Sequence, residues 1–515
     1  MVHLPELDSG SLSSASGAAV TRKMADQRLG SVSVAEQTCT TPKDTNRKPL
    51  RMITTEQLAQ HVTRDSLWIT VNNKVYDVTK WAKHHPGGEA ALMNVGGRDA
   101  TDLMNQFHRP EVWKKRINNW YIGELVQASP LTEGPSIAED FRKLGRWIED
   151  NGWYRADKSY YIMKMSALVC MLSVAVYMFG LNLGSDVSPG LSFYFSAFLI
   201  GLFWQQANFV GHDVGHSSVF DDNSNHKYLG VIVGNAFTGL SISWWKHSHE
   251  THHVATNVIS HDPDIQHLPV FAITSKMFKY ITGKGAGIFS SYWNTYMPFD
   301  RVSQFFVSYQ HWLFYPIMSV ARINLLAQSL LFTLQHPKCQ GFRKVLELST
   351  LAVHYCWWGY MLYLCPSWSS RLLYWYIANA TVGVIHVQIC LSHFMMETFE
   401  EMPYRKNEES YYEYQLRTTL DVDCPRYMDW FHGGLQYQTI HHLYPRLPRH
   451  RLRALRKKVE EIVAKYKNVQ YHHYSFVNAN MLTLRHMYNV ALEARAGKFI
   501  PFKNTMIFEG LHAIG

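Results

Sequence analysis

The sequence predicts a small α+β domain over residues 51–126 joined to an all-α integral membrane domain over residues 141–470, with about four transmembrane helices. Three observations carry that reading. Leu67, Ile69 and Val71 alternate as in a half-buried strand, and Val75-Tyr76-Asp77-Val78 resumes the pattern after an Asn72-Asn73 turn. Four later stretches, 162–184, 191–211, 346–365 and 372–394, are apolar over the ~20 residues that cross a hydrocarbon core. Finally, clustered histidines stand at the edges of apolar stretches.

At 515 residues the chain exceeds a usual single domain. Residues 1–50 are rich in Ser, Thr and Ala without an apolar core, so a disordered tail and no cleavable signal are expected there. Residues 127–140, with Ser129-Pro130 and Gly134-Pro135, read as a linker, and residues 471–515 as a C-terminal tail. The mean hydropathy of −0.19 averages a polar N-terminal third with strongly apolar segments. The net charge of +9 comes from basic residues that mostly flank those segments, which favours an anionic membrane surface as partner and no nucleic acid. The 29 Tyr, 26 Phe and 16 Trp suit membrane interfaces, and the seven scattered cysteines, with no CxxC pair, read as reduced thiols.

A fifth stretch, 305–334, is interrupted by His311, Pro316, Arg322, Asn324 and Gln328 and is expected to be interfacial or re-entrant. Parity supports this. If all the histidine clusters serve one site, an even number of crossings separates the second from the third. Segments 183–190 and 366–370 lack Lys and Arg, whereas Arg155, Lys158, Lys227, Arg343 and Lys344 fall on the other side, with Arg371 the exception. Residues 448–468 form a basic amphipathic pattern, with Leu452, Leu455, Val459, Ile462 and Val463 on one face.

The first chemical motif is His85-Pro86-Gly87-Gly88, followed by Gly97-Arg98-Asp99-Ala100-Thr101-Asp102 and Phe107-His108. Three further clusters follow. His212 and His216 are four apart, and His249, His252 and His253 occupy i, i+3 and i+4, as do Gln438, His441 and His442, so each set shares one helical face. One such pair alone would be ordinary core or surface histidine. Several at the edges of crossings, without cysteine among them, favour a histidine-rich non-haem iron site acting with oxygen on lipid. His393, at the end of the fourth crossing, is a further expected ligand. His386, about 10 Å deeper at 1.5 Å per residue, is read as a cavity or buried hydrogen-bonding residue. Asp213 is either a carboxylate orienting a ligand imidazole or a helix-terminal charge.

The first motif resembles cytochrome b5, and the resemblance implies His85 and His108 as the axial ligands of haem b, with Trp68, Val75, Tyr76, Trp81, Leu103 and Phe107 as slot walls. Two protein ligands leave such an iron no open position, so it moves single electrons. The order haem domain, HxxxH, HxxHH, QxxHH is similar to the front-end desaturases with a fused cytochrome b5 domain, over roughly residues 53–470. Trp244-Trp245-Lys246, the stretch from His261 to Pro269, Gly433-Gly434-Leu435-Gln436 and the stretch from Pro445 to Arg449 look most like the Δ8 sphingolipid desaturases. The resemblance implies two non-haem irons at His212, His216, His249, His252, His253, His393, His441 and His442, with Gln438 beside them. It also implies O2 as oxidant, NADH-derived electrons through a cytochrome b5 reductase, ceramide or another membrane lipid as substrate, and the endoplasmic reticulum membrane with the haem domain cytosolic. A Δ6 or Δ5 acyl-lipid desaturase would use the same machinery. A lipid hydroxylase or a non-enzymatic haem protein fits less well, because neither accounts for the QxxHH cluster. His247 and the Thr439-Ile440 pair depart from the commoner pattern without removing an expected ligand.

Overall fold

The structure, a computed structural model, describes residues 51–126, 136–183, 189–221, 223–279, 281–282, 285–400 and 409–497. The expected tail at 1–50 and most of the expected linker lie outside the described residues; the linker's last residues, 137–140, begin a helix, Ile137–Asp150.

The N-terminal domain is built on a five-stranded mixed sheet. Its strands are β1 (Met52–Ile53), β2 (Val62–Thr63), β3 (Ser66–Val71), β4 (Lys74–Asp77) and β5 (Tyr121–Leu125), in the order β1-β5-β4-β3-β2. Asn72 and Asn73 take positive φ, 50° and 61°, which makes the tight β3–β4 turn that the sequence indicates. Because side chains alternate across a strand, Leu67, Ile69 and Val71 enter one core while Trp68 enters another with Ile53, Leu58 and Val75. The expected wall residues Trp68 and Val75 therefore belong to the far side of the sheet, and Trp68 stacks on His61 at 3.4 Å between ring centroids.

Long helices follow where crossings were expected: Lys158–Gly180, Leu191–Gly215, Gly341–Tyr363 and Trp368–Leu391. Two of them, Lys158–Gly180 and Trp368–Leu391, are long and apolar enough to cross a membrane. A third crossing is formed if the broken pair Gln310–Val320 and Arg322–Gln335, bent by 58°, counts as one span. About four were expected; by length and apolarity two of these helices qualify, or three spans with the broken pair. Leu191–Gly215 falls short because it carries Gln205, Gln206 and the first histidines and is largely buried by its neighbours. Gly341–Tyr363 falls short because it carries Arg343, Lys344, Glu347 and His354. Glu347 is buried and accepts hydrogen bonds from Asn235, Ser241 and Ser243, which ties this helix to the start of the helix Ile242–Val254. The break near residue 321 agrees with the interrupted pattern of 305–334.

The amphipathic helix is Leu452–Val463, and all five expected apolar residues are buried. It joins the haem-side sheet, Phe141, Tyr412 and Tyr444 in one continuous apolar core, so the N-terminal domain and the histidine-bearing layer share an interior. The expected C-terminal tail is corrected over 473–496. Strand His473–Ser475 pairs in parallel with Asp421–Asp423, and helix Phe476–Ala496 buries Ala479, Met487, Val490 and Ala494 against the broken pair. Met487→Ala is expected to lower stability by about 2–5 kcal/mol, read by thermal unfolding in detergent, as for other buried large-to-small changes. An unchanged unfolding temperature would show that this helix does not bear on the fold.

Candidate haem and metal sites

His85 closes the turn after the short helix Thr79–Ala82, and His108 ends the helix Thr101–Phe107, its N–H bonded to Met104 O at 3.1 Å. The two rings face each other with centroids 5.9 Å apart and planes inclined by 49°. His85 Nδ1 donates to Gly88 O at 3.0 Å, which frees Nε2, and His108 keeps a buried ring nitrogen without a partner. Burial holds both imidazoles neutral; His108, with His85 close by, is pushed down to about 3. Two neutral imidazoles across a gap that takes one iron at ~2 Å from each nitrogen fit an axial haem pair.

The other histidines converge from four elements. His212 lies in the last turn of the helix Leu191–Gly215 and His216 caps it, one turn on. A side chain at Gly215 would overlap the ring of Trp245, which in turn stacks on His249 at 4.4 Å. Ser241 caps the helix Ile242–Val254 by accepting from Trp244 N at 3.1 Å, and that helix presents His249, His252 and His253. The short helix Gln438–Leu443 supplies the third cluster, and His393 follows the end of Trp368–Leu391.

These side chains sort into two groups that can each hold a metal ion. His212, His216, His249 and His441 form one, and His252, His393 and His442 the other, with ligand atoms in each group within 4.8 Å of one another. The Nε2 atoms of His212, His216, His252 and His441 are buried without hydrogen-bond partners, as expected of nitrogens awaiting a cation. His253 belongs to neither group but borders both: its Nε2 lies 3.1 Å from that of His249, and its ring stacks on His442 at 4.1 Å.

The opposite ring nitrogens are fixed by the protein. His252 Nδ1 donates to Asp262 at 3.0 Å, His393 Nδ1 to Thr418 O at 3.1 Å and His442 Nδ1 to Gln415 Oε1 at 2.8 Å. Each bond selects the tautomer that turns Nε2 inward. Burial and then crowding by neighbouring imidazoles push His253, His441 and His442 well down, keeping them in the neutral, ligating form. His252 is the exception. Burial opposes its charge, but Asp262 and Asp264 outweigh it and raise it to about 9, so it is the most basic ligand of the set.

Gln438 sits within the second group, its amide nitrogen 3.2 Å from His393 Nε2 and 3.4 Å from His442 Nε2. His386 Nδ1 donates to Met318 O, 3.2 Å away at the broken pair, the second of the two roles expected of it. Asp213 does not orient His212, from which it stands 3.7 Å; it is instead paired bidentately with Arg449, at 2.5 and 2.9 Å, and accepts from Tyr161. His247 faces away from both groups toward His336, with ring centroids 4.9 Å apart. The sequence reading missed Asp262, Gln415 and Thr418; the proximity of Asp262 to the second cluster was the one available signal.

Asp262→Asn is expected to weaken metal binding about 10- to 100-fold while the chain stays folded, because outer partners of metal-bound histidine typically contribute that much. Metal content after dialysis against a graded chelator reads the effect. An unchanged content would remove Asp262 from the site.

Residues 189–475 match the fatty acid desaturase family, and residues 54–126 match the cytochrome b5-like haem/steroid binding domain. The chain is 35% identical over 467 residues to a Delta(8)-fatty-acid desaturase 2 of Arabidopsis thaliana, covering 90% of this chain and 98% of the relative. It is 35% identical to an acyl-lipid (9-3)-desaturase of Borago officinalis, covering 90% and 99%. It is 36% identical to a Delta 8-(E)-sphingolipid desaturase of Emericella nidulans, covering 83% and 92%. With a histidine-lined pair of metal groups beside a haem-binding domain, the chain belongs to the fatty acid desaturase family of di-iron oxidoreductases and carries a fused cytochrome b5 domain.

Proposed function

We propose that the protein introduces a Δ8 double bond into the sphingoid base of ceramide, drawing electrons through its own haem domain. The observation that carries this reading is the pair of converging imidazole groups next to the facing His85 and His108 rings. His85 and His108 hold the haem. His212, His216, His249 and His441 hold one iron, His252, His393 and His442 the other, and His253 stands between them. The metals supply the activation of O2. The balanced change removes two hydrogens from adjacent carbons and, with two electrons and two protons, reduces O2 to two waters.

The chain's own residues orient this chemistry. Asp262, Thr418 and Gln415 hold their imidazoles in one tautomer, and burial of the clusters excludes bulk water. Gln438 presents an amide, a poor substitute for imidazole, and holds a water or a neighbouring group at the second iron. The domain limits are those of the sequence reading at 51–126 and 141–470, the latter extended through 496. Four crossings, counting Leu191–Gly215 and Gly341–Tyr363, place all clusters on one face, the cytosolic face of the endoplasmic reticulum membrane. There a cytochrome b5 reductase passes on electrons from NADH.

The relative named for Δ8 sphingolipid desaturation supports the substrate, and the one named for Δ8 fatty-acid desaturation supports the position of the double bond. The second reading, a Δ6 or Δ5 acyl-lipid desaturase, is favoured by the acyl-lipid relative at equal identity. Expression in a yeast that makes no Δ8-unsaturated sphingoid bases, followed by mass spectrometry of sphingoid bases and total fatty acids, separates the two. New Δ8 bases are expected. New polyunsaturated acyl chains with unchanged bases would install the second reading. In the same host, lacking its own cytochrome b5, His85→Ala is expected to abolish product, and wild-type product would rule out the fused donor. Gln438→Ala is expected to lose more activity than Gln438→His, which returns a nitrogen to that point; equal activity of Gln438→Ala and wild type would remove the residue from the mechanism.

A further inference from the structure

The haem domain is held against the metal groups by contacts on both of its ligand-bearing segments. On the His85 side, Lys338 Nζ donates to His85 O at 2.9 Å. The two glycines that follow lie flat on the helix Ile242–Val254: a Cβ at Gly87 would stand 2.6 Å from Glu250 Oε2, and one at Gly88, where φ is +102°, 2.8 Å from His247 Nδ1. A Cβ at Gly87 would displace the Glu250 carboxylate, and one at Gly88 would press on the His247 ring in a backbone conformation that favours glycine. On the His108 side, Arg446 donates from Nε to Gln106 O at 2.9 Å and from Nη2 to Asn105 O at 3.1 Å, satisfying carbonyls at the end of helix Thr101–Phe107. Gln106 Nε2 donates to Tyr412 OH at 3.0 Å. Arg446 lies four residues after His442, so one short segment carries both a metal-facing imidazole and the grip on the haem domain.

Between these two grips stands Phe107. It precedes His108 in the chain, and its half-buried ring meets His253 edge to face, with centroids 5.9 Å apart and planes at 77°. His253 in turn borders both metal groups. We propose that electrons cross from the haem domain to the iron-binding histidines at this Phe107–His253 contact, and that Arg446 and Lys338 are positioning residues that hold the contact closed. The inference rests on the fused-donor reading above. In each crossing one electron leaves the haem iron, ferrous to ferric, and reduces one iron of the pair, ferric to ferrous. Two crossings serve each double bond, and a one-electron delivery from the NADH-dependent flavoprotein reductase restores the haem after each.

His247, an extra imidazole in the sequence, lies under Gly88 with the His336 ring beside it and joins neither metal group. Close packing also gives the contact a consequence that a freely tethered haem domain lacks: its rate depends on one side chain that is not a metal ligand.

The test is stopped-flow reoxidation of the pre-reduced full-length holoenzyme, followed at the haem absorbance on mixing with O2 and lipid substrate. Haem content and haem reduction potential are measured on the same samples. Compared per bound haem, with any change in potential caused by loss of a slot-wall ring taken from the same measurements, Phe107→Ala is expected to reoxidise several-fold more slowly than the wild type, because the packed path to His253 is then interrupted. Phe107→Tyr, which keeps the aromatic edge, is expected to recover most of the rate. Arg446→Gln is expected to slow reoxidation and to speed hydrogen exchange at residues 105–108. Unchanged reoxidation in Phe107→Ala, or equal slowing in Phe107→Ala and Phe107→Tyr, would overturn the assignment. A wild-type haem that is not reoxidised at all by O2 and substrate would instead fail the donor reading, and the contact with it.

Discussion

The structure depends on burying a crowd of neutral imidazoles. Each of the inward nitrogens of His212, His216, His252 and His441 lacks a protein partner, and a buried unsatisfied polar atom costs about 1–3 kcal/mol. No apolar packing offsets that by itself at four neighbouring positions. Cations do, and in the second group the fold is arranged to make one fit: the outer nitrogens of His252, His442 and His393 are tied to Asp262, Gln415 and the Thr418 carbonyl, so the inner ones have a single direction to face. Burial in turn keeps His253, His441 and His442 unprotonated, whereas His252, beside Asp262 and Asp264, gives up its proton when a cation binds.

That constraint explains why the segment from Gln438 to Arg449 is so heavily used. His441 joins the first metal group and His442 the second, Tyr444 donates to Phe141 O at 2.8 Å, Arg446 grips the haem domain and Arg449 pairs with Asp213 beside His212. A buried ion pair contributes little net stability but is costly to break by halves, so the Asp213–Arg449 pair acts mainly to fix where the first cluster's helix ends. The shared apolar core does the same for the haem domain. Metal site, haem site and core are thus one assembly.

Much of this was legible in the sequence. Helical spacing of the histidines gives one face per cluster, and the structure brings every one of them, His393 included, to the same place. Strand alternation at Leu67, Ile69 and Val71 and the stripe on Leu452–Val463 read correctly because each reports one local period. What escaped depends on contacts distant in the chain. Gln415 and Thr418 carry no pattern of their own, and Asp262 read as part of a family stretch rather than as the partner of His252. Trp68, which the resemblance places among the slot walls, lies on the far face of the sheet, as the alternation along β3 itself requires. The helix Phe476–Ala496 was missed because its buried positions include small residues, Ala479, Ala491 and Ala494, that give little apolar contrast. Counting crossings by apolar length overlooked that a helix inside a bundle, such as Leu191–Gly215, can carry polar side chains against its neighbours.

The central claim is that the two imidazole groups are separate, occupied iron sites beside a haem. Iron and haem determination on the purified full-length protein, combined with Mössbauer spectroscopy of the iron, tests it most directly. Two non-haem irons for each haem are expected, with His216→Ala and His393→Ala each lowering the non-haem content. One haem iron and no additional iron in an intact, folded protein would contradict it.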